Sequence, residues 1–184
     1  MPVEERLELA KKYDYAGGFF EGLACVELNG KYGFIDKTGK QVVPCVYDLA
    51  WDYSEGLACV ELNGKRGFID KTGKQGIPCV YDYAMDFSEG FARVELNGKD
   101  GFIDKTGKQV IPCVYDFAMD FSEGLASVEL NGKLGFIDKT GKQVVPCVYD
   151  DVRYFSAFDI IVAIVGESEE NQVRYYYDRD GNSL

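Results

Sequence analysis

Along most of this chain apolar and polar residues alternate in short runs separated by glycine-containing breaks. Leu-Ala-Cys-Val-Glu-Leu at 23–28, Lys-Tyr-Gly-Phe-Ile-Asp at 31–36 and Gln-Val-Val-Pro-Cys-Val-Tyr at 41–47 are β-branched, aromatic and period-two, which is the pattern of half-buried strands. Asn29-Gly30 between the first two predicts a two-residue hairpin, because a type I′ turn needs positive φ at both central positions. Asp36-Lys37-Thr38-Gly39-Lys40 predicts a second turn, with Gly39 taking the left-handed conformation. The elements form a three-strand meander. Pro44 lacks a ladder donor, so the third strand lies at an edge or bulges there.

A two-residue turn fixes the register. Leu28 then faces Lys31, Glu27 faces Tyr32, Val26 faces Gly33, Cys25 faces Phe34 and Ala24 faces Ile35. One side of the hairpin carries Ala24, Val26, Leu28, Gly33 and Ile35 and is expected to be core, with Gly33 admitting a neighbouring unit. The other side carries Leu23, Cys25, Glu27, Tyr32 and Phe34. Its end near the Asn-Gly turn is expected to meet water.

The same phrase returns every 34 residues, from Gly22, Gly56, Gly90 and Gly124. The units Tyr53–Asp86 and Phe87–Asp120 differ at only six positions, so each is one supersecondary piece that must stack on its neighbours to bury an apolar face. The whole chain therefore reads as a single repeat domain over 1–184, with repeats at 19–52, 53–86, 87–120 and 121–154 and a degenerate fifth at 155–184. Residues 1–18 precede them as helix and connector. Tyr-Asp-x-Ala-x-Asp-aromatic-Ser-Glu-Gly reads as a connector between units. Its aromatic column, Phe19, Tyr53, Phe87, Phe121 and Phe155, reads as a core staple. Ile160–Gly166 reads as a buried strand, and Glu167–Asn171 as an insertion at a hairpin tip.

The fold class expected is all-β. The fifth unit stops in the column of Val144 while Leu9 onward falls in the following columns, so the termini together complete one unit. That favours a closed, five-unit, propeller-like ring. An open β-hairpin solenoid is the alternative. Val3–Lys12, with acids early and lysines late, would be its capping helix.

These units resemble the bacterial WG-repeat family, whose repeats read aromatic-x-Glu-Gly-Leu-Ala, then Asn-Gly-Lys-Trp-Gly-aromatic-Ile-Asp, then Val-Ile-Pro and Tyr-Asp. The match runs from about Tyr13 to Asp150 in four copies. The resemblance implies a β-rich interaction or scaffold module with no established chemistry. Where the family has tryptophan, this chain has Tyr32, Arg66, Asp100 and Leu134. Over a short stretch, the tail Arg-Tyr-Tyr-Tyr-Asp-Arg-Asp-Gly-Asn is also similar to the aromatic hairpins of cell-wall- and choline-binding repeats.

Composition narrows the function. Twenty Lys and Arg against 31 Asp and Glu give a net charge of −11, which disfavours nucleic acid and anionic membrane. No signal peptide or membrane span is expected. Cys25, Cys45, Cys59, Cys79, Cys113 and Cys147 fall in two columns, one of which becomes Arg93 and Ser127; a disulfide framework would not lose a column that way. With no CxxC spacing and no histidine, no metal site or cofactor is expected. Reduced thiols point to the cytoplasm. Asp178-x-Asp180-Gly-Asn182 resembles the opening of a calcium loop but lacks the later bidentate glutamate, so a plain turn is expected. Repeated carboxylates such as Glu27, Asp36, Asp48 and Asp52 read as a solvated face, and no catalytic residue is assigned.

The informative positions vary while their surroundings do not. They are the columns Cys25/Cys59/Arg93/Ser127, Tyr32/Arg66/Asp100/Leu134 and Trp51/Met85/Met119/Arg153. Glu61 opposite Arg66 is favourable, whereas Glu95 opposite Asp100 sets like charges together on a face expected to be wet, with Arg93 on the diagonal expected to offset part of the cost. Two readings stay open for these columns, a recognition surface and tolerant drift. The function expected is a non-enzymatic scaffold that binds a protein or peptide through them. The alternatives are a structural module that self-associates through strand edges and a glycan- or cell-wall-binding module.

Overall fold

The computed structural model describes residues 3–166 and 171–184; most of the insertion read at Glu167–Asn171 therefore lies outside the described residues. Helix α1 (Val3–Lys12) is followed by five antiparallel sheets in chain order. The first contains β1 (Tyr15–Phe20), β2 (Leu23–Leu28), β3 (Lys31–Asp36) and β4 (Gln41–Tyr47). The second contains β5 (Leu49–Ser54), β6 (Leu57–Leu62), β7 (Lys65–Asp70) and β8 (Gln75–Tyr81). The third contains β9 (Tyr83–Ala84), β10 (Phe91–Leu96), β11 (Lys99–Asp104) and β12 (Gln109–Tyr115). The fourth contains β13 (Phe117–Ala118), β14 (Leu125–Leu130), β15 (Lys133–Asp138) and β16 (Gln143–Tyr149). The fifth has three strands, β17 (Asp151–Phe155), β18 (Ile160–Val165) and β19 (Val173–Asp178).

The segment read as a connector is the first strand of each sheet. Glu21 and Gly22, at φ 49° and 95°, form a tight turn that folds β1 onto β2. Asn29 and Gly30, at 54° and 72°, do the same between β2 and β3, and the register there matches the sequence expectation pair for pair. In the third loop the Asp36 carboxylate accepts from Thr38 N at 2.8 Å and Lys40 N at 3.1 Å, and Gly39 has φ 83°. The Asp178–Asn182 segment repeats this, with Asp180 N and Asn182 N donating to Asp178, so it is a turn of the same kind.

Both faces of each hairpin are core. Ala24, Val26 and Ile35 pack under Leu9 and Tyr13, while Leu23, Cys25, Phe34 and Val43 pack onto Tyr53, Ala58, Val60 and Ile69 of the second sheet. The staple aromatics meet their partners edge-on, Phe34 with Tyr53 at 4.8 Å and Phe68 with Phe87 at 4.9 Å. Each such ring buried between sheets contributes roughly 1.5–3 kcal/mol of apolar burial. At the array's ends the column loses this role: Phe19 is 44% exposed and Phe155 45%. The glycine column is crowded by its own sheet rather than by a neighbour. A Cβ on Gly33 would lie 2.5 Å from Val43 O and 2.7 Å from Pro44 C, because β4 bulges across β3 at Pro44.

Polar ties run along the edges of the stack. Lys31, Lys65, Lys99 and Lys133 each pair with the aspartate (Asp48, Asp82, Asp116 and Asp150) just before the first strand of the next sheet. Glu21 accepts from Gly56 N at 3.0 Å and pairs with Lys71 at 3.0 Å, and Glu55 and Glu89 repeat the arrangement.

The all-β, propeller-like repeat architecture is as expected, but the ring closure is not. β1 belongs to the first sheet, which is complete without the C-terminus, and β19 pairs only with β18 among the named strands. Among the described residues no strand pair, hydrogen bond or core cluster joins the first sheet to the fifth. The reason is α1. Leu9 and Tyr13 cover the apolar outer face of the first sheet that closure would have used. The open array with a helical cap, the alternative reading, describes the molecule.

Candidate functional site

The three variable columns meet in the seams between adjacent sheets. Cys25 and Cys59 are buried, with their thiols 3.7 and 3.8 Å from Ala50 O and Ala84 O on the first strand of the next sheet. Burial pushes both thiols up to about 12, so neither is a nucleophile near neutral pH. Among the described residues all six cysteines are unpaired, and no cluster of acidic or sulfur ligands is arranged to hold a metal.

Between the second and third sheets, Arg66 lies between Trp51 and Tyr83, its guanidinium 4.2 and 4.1 Å from their ring centres. It donates to Glu61 and to Ala84 O, each at 3.2 Å. The pairing with Glu61 is the one expected from the register. Between the third and fourth sheets, Arg93 takes the position of the cysteines. It donates to Asp100 at 3.0 Å, lies 3.9 Å from Asp120, and stands 5.4 Å from the ring centres of Tyr83 and Phe117.

Asp100 corrects the wet-face expectation. It sits opposite Glu95 in the ladder yet is only 4% exposed. Its carboxylate turns into the seam, where it accepts from Arg93 and, at 2.8 Å, from Ala118 N. An arginine and a backbone amide thus give this carboxylate the partners that offset its burial opposite Glu95.

The remaining column residues lie at different depths. Met85 donates its amide to Arg93 O at 3.0 Å, Met119 is 58% exposed, and Arg153 is exposed and pairs with Asp151 at 2.8 Å. Tyr32 is half-buried against the first core, and Ser127 and Leu134 are half-buried in the fourth sheet. Clefts open in the second, third and fourth seams. One of about 160 Å³ is lined by Trp51, Arg66, Met85 and Asp86. Another of about 330 Å³ is lined by Arg93, Phe117, Met119 and Asp120. The last, of about 270 Å³, is lined by Met119, Asp120, Ser127, Phe136, Val152 and Tyr154. Thus Trp51, Arg66, Met85, Arg93, Met119 and Ser127 line the clefts, Cys59, Asp100, Leu134 and Arg153 line none of the three, and Cys25 and Tyr32 stay in the first seam.

Sequence reading missed the aspartate column Asp52, Asp86 and Asp120, which it assigned to a solvated face. Asp86 and Asp120 line the clefts, and burial raises all three carboxyls, reinforced at Asp86 by the charges of Asp52 and Asp120 and opposed at Asp120 by Arg93. Their signal was present: an aspartate before the staple aromatics Tyr53, Phe87 and Phe121, replaced by Gly18 before Phe19 and by Tyr154 before Phe155. Of the tail tyrosines, Tyr175 and Tyr177 both pack beside Tyr149, with ring centres 5.5 and 6.2 Å away, while Tyr175 and Tyr176 stay partly open to solvent. A cavity of about 630 Å³ between α1 and the Thr38 turn is lined by none of the column residues.

Comparison with known proteins gives the family. No curated protein matches the chain. Among solved structures, a eukaryotic initiation factor superposes with a TM-score of 0.51 at 10% identity, covering 94% of this chain and 56% of that one. Hsv2 of Kluyveromyces lactis gives 0.48 at 11% identity, covering 89% of this chain and 59% of that one. The chain thus spans somewhat more than half the length of these structures, and the likeness to the initiation factor concerns the propeller-like fold alone. Among the described residues no helix is long and apolar enough to cross a membrane. The model of the WG containing repeat matches residues 7–32, 32–65, 67–99, 101–133 and 135–159, spanning the described sheets as far as the fifth, and the chain belongs to that family.

Proposed function

We propose that this protein is a non-enzymatic scaffold that holds an extended protein or peptide partner along the inter-sheet clefts. The observation that carries this reading is the convergence of the variable columns. Residues that differ from unit to unit gather at the clefts of adjacent seams, while the framework around them stays constant. Such variation tunes what each cleft recognises without altering the stack. Thiols held protonated and the lack of histidine support a role in binding rather than catalysis. A cytoplasmic location belongs to the same proposal, resting on the free thiols.

One observation favours self-association as a second reading. Val46, Val80, Val114 and Val148 form an exposed column on the last strands of four sheets, between 48% and 55% open. The two readings separate in one experiment. Peptides selected from a random displayed library are titrated against the wild type, a cleft variant (Trp51→Ala, Met85→Ala, Met119→Ala) and an edge variant (Val46→Ser, Val80→Ser, Val114→Ser, Val148→Ser). The scaffold reading expects binding to be lost in the cleft variant and kept in the edge variant. The opposite pattern, with concentration-dependent sedimentation that the edge variant abolishes, would replace it with self-association.

A further inference from the structure

We propose that the cleft between the fourth and fifth sheets receives an arginine side chain presented by a peptide partner. The inference deepens the scaffold reading and rests on it. Its argument is that the chain fills the two preceding seams with arginines of its own. Arg66 occupies one, stacked on Trp51 and Tyr83 with a carboxylate and a carbonyl as acceptors. Arg93 occupies the next, with Asp100 and Asp120 about it and Phe117 beside it. In the seam that follows, the same two columns hold Ser127 and Leu134, and neither supplies a cation. An opening of about 270 Å³ is left where the framework is otherwise repeated.

What lines that opening suits the same guest. Phe136 and Val152 offer apolar surface for the methylene stem. Tyr154 offers a ring for the planar guanidinium, and its hydroxyl is already engaged by Asp159 at 2.6 Å, which steadies it. Asp120 stands at the mouth and lines the clefts on both sides. Its carboxylate accepts no hydrogen bond among the described residues, and Arg93 reaches it only at 3.9 Å, so it has capacity for a second cation. Burial raises this carboxyl despite Arg93, in keeping with an anion short of partners. The net charge of −11 favours a cationic guest over an acidic one. A guanidinium fits better than an ammonium, since it can stack on the ring and meet the carboxylate in its own plane.

The test uses the full chain labelled with nitrogen-15 and titrated at constant ionic strength with Nα-acetyl-argininamide or Nα-acetyl-lysinamide. Saturable shifts are expected at the amides of Ser127, Val152 and Tyr154 with the arginine amide, and at least tenfold weaker binding of the lysine amide. Asp120→Asn is expected to weaken the arginine amide at least fivefold. Ser127→Arg, which supplies the seam with an arginine as at position 93, is expected to abolish binding while leaving Asp120 in place. The spectra themselves report whether each variant is folded. Equal response to both amides, shifts that do not saturate, or binding that survives Ser127→Arg would overturn the proposal. A dimer that dissociates as the arginine amide is added would assign the guest to a second copy of the chain and overturn the peptide assignment. Library peptides that bind the clefts while the arginine amide does not would sink this inference and leave the scaffold reading standing.

Discussion

Replacing Asp100 tests how the third seam is built. The carboxylate is 4% exposed and accepts from Arg93 at 3.0 Å and from Ala118 N at 2.8 Å, and the Arg93 side chain is 14% exposed. Asp100→Ala therefore strands a largely buried guanidinium and orphans a buried amide. Removing one partner of a buried pair costs about 3–5 kcal/mol, and leaving a buried amide without an acceptor about 1–3 kcal/mol. These terms overlap, and Asp120 stands near enough to take over part of the charge. The expected loss is about 3 kcal/mol. The double variant Arg93→Ser, Asp100→Leu carries the pair that the fourth unit holds natively as Ser127 and Leu134. It removes both charges together, so it should cost within about 1 kcal/mol. Urea unfolding of wild type, Arg93→Ser, Asp100→Leu and the double gives the coupling directly, with Asp100→Ala measured beside them. A loss below about 0.5 kcal/mol for Asp100→Ala, or additivity across the cycle, would refute the buried pair and return Asp100 to a wet face.

Gly101→Ala places a Cβ 2.6 Å from Ile111 O and 2.7 Å from Cys113 N, which are backbone atoms that cannot turn aside, so about 1–3 kcal/mol should be lost. Gly76→Ala meets nothing within 4 Å and serves as the control; equal melting shifts would show the crowding to be illusory. All six thiols should react after denaturation without reductant, while in the native protein Cys25 and Cys59 should lag the partly exposed Cys45 column. A melting temperature that drops on adding reductant would reveal a disulfide. In acid, two sets of carboxyls oppose each other. Asp48, Asp82, Asp116 and Asp150 are held low by their lysines, so their stabilisation is present above the ordinary aspartate value of 3.8 and fades as pH falls through the lowered values. Asp52, Asp86 and Asp120 are raised and act in the other sense above 3.8. Melting should therefore hold or rise slightly towards pH 4 and then fall. A steady rise to pH 3 would mean that relief of the net negative charge outweighs the lost pairs.

Much of the architecture was legible because it is written in turns. Asn-Gly fixed the β2–β3 register, and the repeat of that phrase fixed the number of full units. Glu21-Gly22 was the weak spot. Glutamate is not a usual resident of positive φ, so the turn that makes a fourth strand passed for a connector. Ring against cap turned on which segment covers the outer face of the first sheet, and apolar columns alone do not name their cover. At the clefts the columns identified most of the participants, since a variable residue in a constant frame is visible as such. The burial of Asp100 was only partly legible. The ladder sets Arg93 on the diagonal from it, so that partner could be read from the register, whereas only the three-dimensional seam offers it Ala118 N.

The ties between sheets have a consequence for the size of the molecule. Among the described residues every hydrogen bond and ion pair that crosses a seam joins one sheet to the next, from Glu21 with Lys71 to Arg179 with Glu123 O. Glu21, Glu55 and Glu89 lie at the same place in successive units and accept from Gly56, Gly90 and Gly124 in turn. A unit therefore cannot sense how many others stand beyond its neighbour. Excising residues 87–120 would join Asp86 to Phe121 with the repeat still in phase, and the new seam would be built from parts already proven in the old ones. Copy number in such a chain is set by its gene rather than by its geometry, and slippage in the DNA could lengthen or shorten the row of clefts by whole units without disturbing those that remain.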